Sequence, residues 1–350
     1  MSSRKHKVIS IPGDGIGLEV TPAAMEVVDA LGKKHGFTIE WDLVDWGSDY
    51  FRKNGRMMPV DGIELMSKYD AIFLGAIGTP DIPDHETLWG LLIPIRRDFD
   101  QYINLRPIKS YAGVNGPLAG SPKIDLIIVR ENTEGEYSKI GGRFGSNSPY
   151  ETALQVAVFS RQGIERVTRY AVDQATLRKK QIVSATKSNG IIHSMPFWDQ
   201  VVADILIEHP EITLRNVLID ALAAELVLHP ERFDVIVASN LFGDILSDLA
   251  AALVGSIGIA PSGNINPERK YPSMFEPVHG SAPDIAGQGI ANPIGALLAA
   301  AMMLDHFHEN SASQELHLLI DNLLGSGIAT KDLGGEESTA SFTQKLISGI

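Results

Sequence analysis

SIPGDGIGLEV, residues 10 to 20, follows the apolar run Val8-Ile9-Ser10-Ile11 and carries Gly13, Gly15 and Gly17. A strand that runs into closely spaced glycines and then a helix opens a phosphate-cradling unit when the spacing is G-x-G-x-x-G. Here Leu18 stands where the third glycine belongs. Asp42 and Asp45 imitate the acidic residue such a unit carries downstream, but the glycine spacing excludes a Rossmann fold. What remains is a tight turn after a first strand, bordered by Asp14 and Ile16.

Downstream, KVISI, FTIEWDLV, YDAIFLGA, IDLIIVR, QIVSAT, RNVLID and FDVIVAS read as strands. LEVTPAAMEVVDALGKKHG, SMPFWDQVVADILIEHP, ALAAELVLHP and GDILSDLAAALVG read as helices, several closed by Gly or Pro. Alternation of the two predicts an α/β architecture with a largely parallel core. The stretch 139–160 breaks the rhythm: GGRFGSNSPY is rich in Gly and Ser, and ETALQVAVFS is strand-like with no helix beside it. It is expected to form a projecting hairpin arm that needs a partner to cover it. Four core strands end in a charged or polar residue: Arg130, Lys187, Asp220 and Asn240. Ligands of α/β sheets bind outside the carboxyl ends of the strands, so these ends point to a convergent polar site.

The 350 residues are 44% hydrophobic and 21% charged, enough for one large core or two coupled ones. No apolar run is long enough to span a bilayer. MSSRKHK, residues 1–7, is basic with no apolar stretch behind it, so no secretory leader is expected. The absence of cysteine excludes disulfides and thiolate metal sites and fits a reducing compartment. A net charge of −13 argues against a nucleic-acid surface, so an anionic ligand must be captured by locally clustered cations. A cytoplasmic protein is the expectation.

Several stretches could carry chemistry. In SNLFGDILSDLAAAL, Asp244 and Asp248 lie four residues apart and share a helix face. Two carboxylates there suit a hard cation such as Mg²⁺ or Mn²⁺; the alternative is that Asp244 complements the helix N-terminus and Asp248 is merely solvated. Arg96, Arg97, Arg106 and Arg130 present planar forks that match carboxylates, and several of them together suit a small di-acid. Ordinary ion pairing is the alternative, with Arg97 its best candidate. Tyr137 is a possible proton donor. Lys187 could act as a base, or be an exposed loop lysine. Asp284, in FEPVHGSAPDIAGQGIANP, could read a ribose diol or belong to turn chemistry.

Together IPGDGIG, NLRP, VRENTEGEY, ATKSN, SNLFGDILSD and EPVHGSAPDIAG…ANP resemble the β-decarboxylating dehydrogenases, over about residues 7 to 345 and in the family's order. That family contains isopropylmalate, isocitrate, homoisocitrate and tartrate or D-malate dehydrogenases. The resemblance implies a two-lobed α/β fold with a large central sheet flanked by helices. Residues 1–101 plus 255–350 would form a discontinuous cofactor-binding lobe, and 102–254 a lobe with metal and dimer contacts and the clasping arm. Arg96, Arg106 and Arg130 would grip the substrate's carboxylates. Asp244 and Asp248, with Asp220 from a second subunit of a homodimer, would hold Mg²⁺ or Mn²⁺. Lys187, also from the second subunit, would take the substrate's hydroxyl proton, and Tyr137 would protonate the carbon left after CO₂ departs. Ile16, His279, Gly280, Ser281, Ala282, Asp284 and Asn292 would bind the cofactor. Asp284 would repel a 2′-phosphate, so NAD is expected over NADP; a K⁺ requirement follows by the same analogy.

The helix before Arg96 bears on the substrate. Isopropylmalate enzymes carry Glu seven residues before that arginine, where this chain has Trp89, followed by Leu92 and Ile93. Isocitrate enzymes carry Ser and Asn at positions held here by Gly90 and Leu92. LWGLLIPIRRDFDQYINLRP is most similar to the tartrate/D-malate group, except that Leu91 replaces a serine. The expected activity is NAD-dependent oxidative decarboxylation of D-malate to pyruvate, with tartrate as a further substrate. The alternative is isopropylmalate, favoured by the apolar Leu91-Leu92-Ile93 patch. A non-catalytic regulatory subunit is the alternative of another class, and the presence of Asp220, Asp244, Asp248, Lys187 and Tyr137 argues against it.

Overall fold

The computed structural model describes residues 4–350; residues 1–3, part of the basic start, lie outside them. The described chain divides into two compact units. One comprises the residues up to Gln101, Lys109–Ser121 and Ala251–Ile350; the other comprises Tyr102–Ile108 and Pro122–Ala250.

In the first unit, strand Arg4–Gly13 lies between Phe37–Leu43 and Ala71–Ala76, parallel to both. Ser273–Pro277 adds parallel to Ala71–Ala76, and Pro261–Ile265 pairs antiparallel with Ser273–Pro277. All six residues of Ala71–Ala76 are buried, as expected of a strand covered on both faces. The helix Gly17–His35 begins directly after the glycine turn and stops at Gly36, which adopts the left-handed conformation that closes helices. Helix Ile294–His306, IGALLAAAMMLDH, is apolar nearly all round; it is buried against the last two strands and helix Asn310–Gly325.

In the second unit, Asp125–Glu131, Val235–Ala238, Gln181–Thr186 and Thr213–Leu218 form a parallel run in that order. Helices Arg161–Thr176, Ser194–Ile207 and Ile219–Leu228 supply its connections. The strand expected to reach Asp220 ends at Leu218, and Asp220 instead opens the following helix. Asn240 likewise is the first residue of helix Asn240–Leu253.

The arm is an antiparallel hairpin of Gly141–Phe144 with Thr152–Gln155. Its strands are exposed on both faces, leaving Phe144, Tyr150 and Leu154 in solvent. The strand expected through Ser160 stops at Gln155, because Ser160 caps the next helix by accepting from the Gly163 amide. No helix among the described residues is long and apolar enough to cross a membrane. The fold class is the expected two-lobed α/β fold built on a large mixed sheet with flanking helices.

Candidate active site

In the second unit the carboxyl end of strand Asp125–Glu131 meets the first turns of helix Asn240–Leu253. Arg130 donates from Nη1 to Asp244 Oδ1 at 2.6 Å, and from Nη2 and Nε to Asn240 Oδ1 at 2.6 and 3.2 Å. This close approach requires Gly243, where a Cβ would lie 2.6 Å from the Arg130 side chain. Arg106 Nη1 lies 3.3 Å from Asp244 Oδ1, 3.2 Å from Asp248 Oδ1 and 2.5 Å from Ser247 Oγ. The Tyr137 hydroxyl donates to Asp244 Oδ2 at 3.1 Å. Five of the expected site residues are thereby gathered: Arg106, Arg130, Tyr137, Asp244 and Asp248.

The geometry bears on the alternative reading of Asp244 as a complement to its helix N-terminus. Glu136 fills that role, accepting from the Leu241 amide at 3.0 Å and the Ser239 hydroxyl at 2.8 Å. Asp244 lies on the second turn and faces two guanidinium groups. Asp248 is half-exposed, and its carboxyl is pushed above the usual range, chiefly by partial burial and also by Asp244, with Arg106 and Arg130 opposing. Two carboxylates on one helix face form a donor pair suited to a hard cation.

Lys187 and Asp220 pair with each other, Nζ to Oδ1 at 2.9 Å. The lysine's hydrogen bond holds the exposed Asp220 carboxyl below its usual range. Among the described residues no three acidic or imidazole side chains gather as a metal site within one chain.

In the first unit, Arg96 Nη2 donates to Glu276 Oε1 at 3.0 Å, while its buried Nε has no protein partner. Glu276 is itself oriented by Asn264 Nδ2 at 2.7 Å. Residues Leu88–Leu92 form a single π-helical turn just before Arg96, a local distortion common at functional sites. Arg97, expected in ordinary ion pairing, carries its guanidinium 5.0 Å from the centroid of the Trp89 ring. Leu91 is fully buried in a cluster with Ile9, Ile11, Trp46 and Met57. Ile93 is also buried and Leu92 packs partly against that cluster, so little of the apolar patch is left to face a ligand.

The same unit contains a cavity of about 350 Å³ whose lining includes Ile16, His279, Ala282 and Asn292. The glycine turn builds one wall. Gly15 has φ +55°, and a Cβ there would meet the Ser281 carbonyl at 2.0 Å. The Ile16 amide donates to that carbonyl at 2.9 Å. Asp14, in the same turn, is a brace: its carboxylate accepts from the Ser48 amide and hydroxyl and from the Gly78 amide. Glu19 secures the opposite loop by accepting from the Gly287 and Gly289 amides.

His279 Nδ1 lies 3.0 Å from the Gly280 carbonyl, which assigns the proton to Nδ1 and leaves Nε2 a buried acceptor without a protein partner. Burial pushes the imidazole pKa down, so the ring stays neutral. Gly280, Ser281 and Asp284 stand beside the cavity without lining it, and Asp284 is exposed. Lys331 and Asp332 also line the cavity. Asp332 accepts from Asn292 Nδ2 at 2.9 Å and from the Ser256 and Thr330 hydroxyls at 2.6 Å, so it fixes three segments of the wall. Neither residue belongs to a motif stretch, and neither was expected from the sequence.

Comparison with known proteins adds an independent line. Residues 7–348 match the isocitrate/isopropylmalate dehydrogenase family model. A probable tartrate dehydrogenase/decarboxylase of Bacillus subtilis (strain 168) is 49% identical, covering 100% of this chain and 99% of its own. D-malate dehydrogenase [decarboxylating] of Escherichia coli (strain K12) is 49% identical, covering 95% of each. The crystal structure of isocitrate dehydrogenase from Methylococcus capsulatus superposes with a TM-score of 0.90 at 33% identity, covering 98% of this chain and 99% of that one.

Proposed function

The chain belongs to the isocitrate/isopropylmalate dehydrogenase family, a family of decarboxylating dehydrogenases, and from that premise we propose that it oxidises and decarboxylates D-malate, and also tartrate, with NAD and Mg²⁺ or Mn²⁺. The observation that carries this reading is Asp244, whose carboxylate is met at once by Arg130, Arg106 and the Tyr137 hydroxyl. Cations for a di-acid, oxygen donors for a hard metal and a proton donor converge on one carboxylate.

The donor chemistry fits a divalent ion: Asp244 and Asp248 from one chain, with Asp220 contributed by a second copy. The cavity fits an adenosine, because His279 Nε2 offers an acceptor to an exocyclic amine. A bound divalent ion would polarise the oxygen on C2, and NAD would accept the C2 hydride. Arg106 and Arg130, with Arg96, hold the substrate's carboxylates and fix which C–H bond is presented. Lys187, beside Asp220 and from the second copy, takes the C2 hydroxyl proton. The resulting 2-oxo acid carries a carboxylate β to its carbonyl and loses CO₂. Tyr137 then delivers its hydroxyl proton to C3, giving pyruvate from D-malate.

Two observations support the homodimer. The hairpin arm exposes Phe144, Tyr150 and Leu154 with no cover of its own, and the Lys187–Asp220 pair stands outside the Asp244 cluster. NAD is favoured by Asp284: a 2′-phosphate about 5 Å from a carboxylate would cost about 3 kcal/mol at an effective dielectric of about 20. Burial of Leu91 and Ile93 removes most of the apolar patch that favoured isopropylmalate. The absence of cysteine fits a cytoplasmic location. The test is stoichiometric: D-malate, NAD and Mn²⁺ should yield NADH, pyruvate and CO₂ in equal amounts, with no turnover in excess EDTA. NADH without pyruvate would refute the decarboxylating step.

A further inference from the structure

A second cavity, of about 360 Å³, opens in the first unit and shares no lining residue with the cavity of Ile16 and His279. Its wall carries the cations Lys5, Arg269 and Lys270 against one carboxylate, Asp70, in a chain whose net charge is −13. The carboxylates nearby are turned to other donors. Asp70 accepts from the Lys7 amide, Glu309 from Arg4 and His6, and Asp42 from the Tyr69 hydroxyl. Lys5 has Glu40 at 3.1 Å. Arg269 and Lys270 have no carboxylate partner among the described residues. Arg269 Nη1 instead lies 3.0 Å from the imidazole Nε2 of His308.

The backbone that presents these cations is strained. Arg269 has φ +55° and His308 φ +62°, conformations that normally go to glycine. His308 sits just past the end of helix Ile294–His306, where glycine is the usual residue. The Arg269 turn is clamped by the buried Asn266, whose Oδ1 accepts from the Lys270 amide at 2.9 Å while its carbonyl accepts from the Arg269 amide at 3.0 Å. Residues held in the left-handed region by the surrounding structure cluster at ligand-binding sites. Aromatic faces complete the wall, with Tyr271 half-exposed and Phe307 stacked on His6.

We propose that this pocket binds a small phosphorylated anion bearing a planar ring, of the nucleotide class, at a site distinct from the adenosine cavity. Lys5, Arg269 and Lys270 would take the phosphates, and the tyrosine and phenylalanine faces would receive the ring. The competing account is structural: Arg269 and His308 merely close the negative end of helix Ile294–His306.

Calorimetric titration of the full chain with ATP and with inorganic tripolyphosphate separates the two. We expect saturable binding of both, tighter for ATP. Lys270→Glu should weaken each about tenfold or more without changing Tm. Arg269→Gly should weaken binding while leaving Tm unchanged or raised, because glycine relieves the left-handed strain. Lys331→Ala, in the other cavity, should leave tripolyphosphate binding intact. Absence of binding, binding unaltered in Lys270→Glu and Arg269→Gly, or a lowered Tm with intact binding in Arg269→Gly would each overturn the proposal.

Discussion

Arg130 and Asp244 are joined at 2.6 Å, the guanidinium almost fully buried and the carboxylate one-third exposed. Its Nη2 and Nε also donate to Asn240, so the arginine is held on the same helix that carries the acid. Lysine keeps the charge but cannot span Asn240 and Asp244 together. Arg130→Lys is therefore expected to lower kcat/KM for D-malate about 100-fold or more, roughly 3 kcal/mol. Steady-state kinetics check this, and a change under about threefold would mean the fork is not used.

Tyr137 donates to Asp244 Oδ2 and stands nearest the carboxylates as an acid. Tyr137→Phe removes the proton and little else. It should cut kcat by about 100-fold or more with KM changed far less, as loss of a general acid does. An unchanged kcat with a raised KM would reassign Tyr137 to binding.

Asp284 is exposed, in the segment between Ala282 and Ile285, both of which line the cavity with Lys331. Asp284→Lys would replace a repelling charge by an attracting one beside the ribose. The kcat/KM ratio of NADP to NAD should rise about 100-fold or more by the Coulomb argument. A ratio that stays fixed would place the ribose elsewhere.

His306 supplies the pH dependence. Burial first, then the charge of Arg269 and of His308, push its imidazole down to about 4. The unfolded ring titrates near 6.5, so between about 6.5 and about 4 the unfolded chain binds the extra proton and stability falls as pH drops. Above that window the group costs nothing, and below it the loss is complete, at most about 3 kcal/mol. His306→Phe should flatten the Tm-versus-pH curve between pH 6.5 and 4 relative to wild type. Parallel curves would show that His306 does not titrate there.

The sequence made the second unit's site legible because strand ends carry it. Arg130, Lys187 and Asn240 occupy the carboxyl ends of parallel strands or the residues just after them, and Asp244 and Asp248 repeat at helical spacing. Periodicity and strand order suffice for such a cluster. Lys331 and Asp332 were not legible, since they reach the cavity from a short turn near the C-terminus that only tertiary topology brings to His279. The brace made by Asp14 was not legible for a related reason: its three hydrogen bonds come from loops after two other strands, and no local pattern announces them. Leu91 looked like a ligand contact because its neighbours do, yet the π-helical turn directs it into the core.

The central claim is a preference among 2-hydroxy acids, and substrate discrimination tests it most directly. NADH formation should be followed with Mn²⁺ for D-malate, the tartrate isomers, isopropylmalate and isocitrate. The account predicts kcat/KM for D-malate at least about tenfold above isopropylmalate and isocitrate, with measurable turnover of a tartrate isomer. Comparable values for isopropylmalate, or a strict preference for isocitrate, would contradict it.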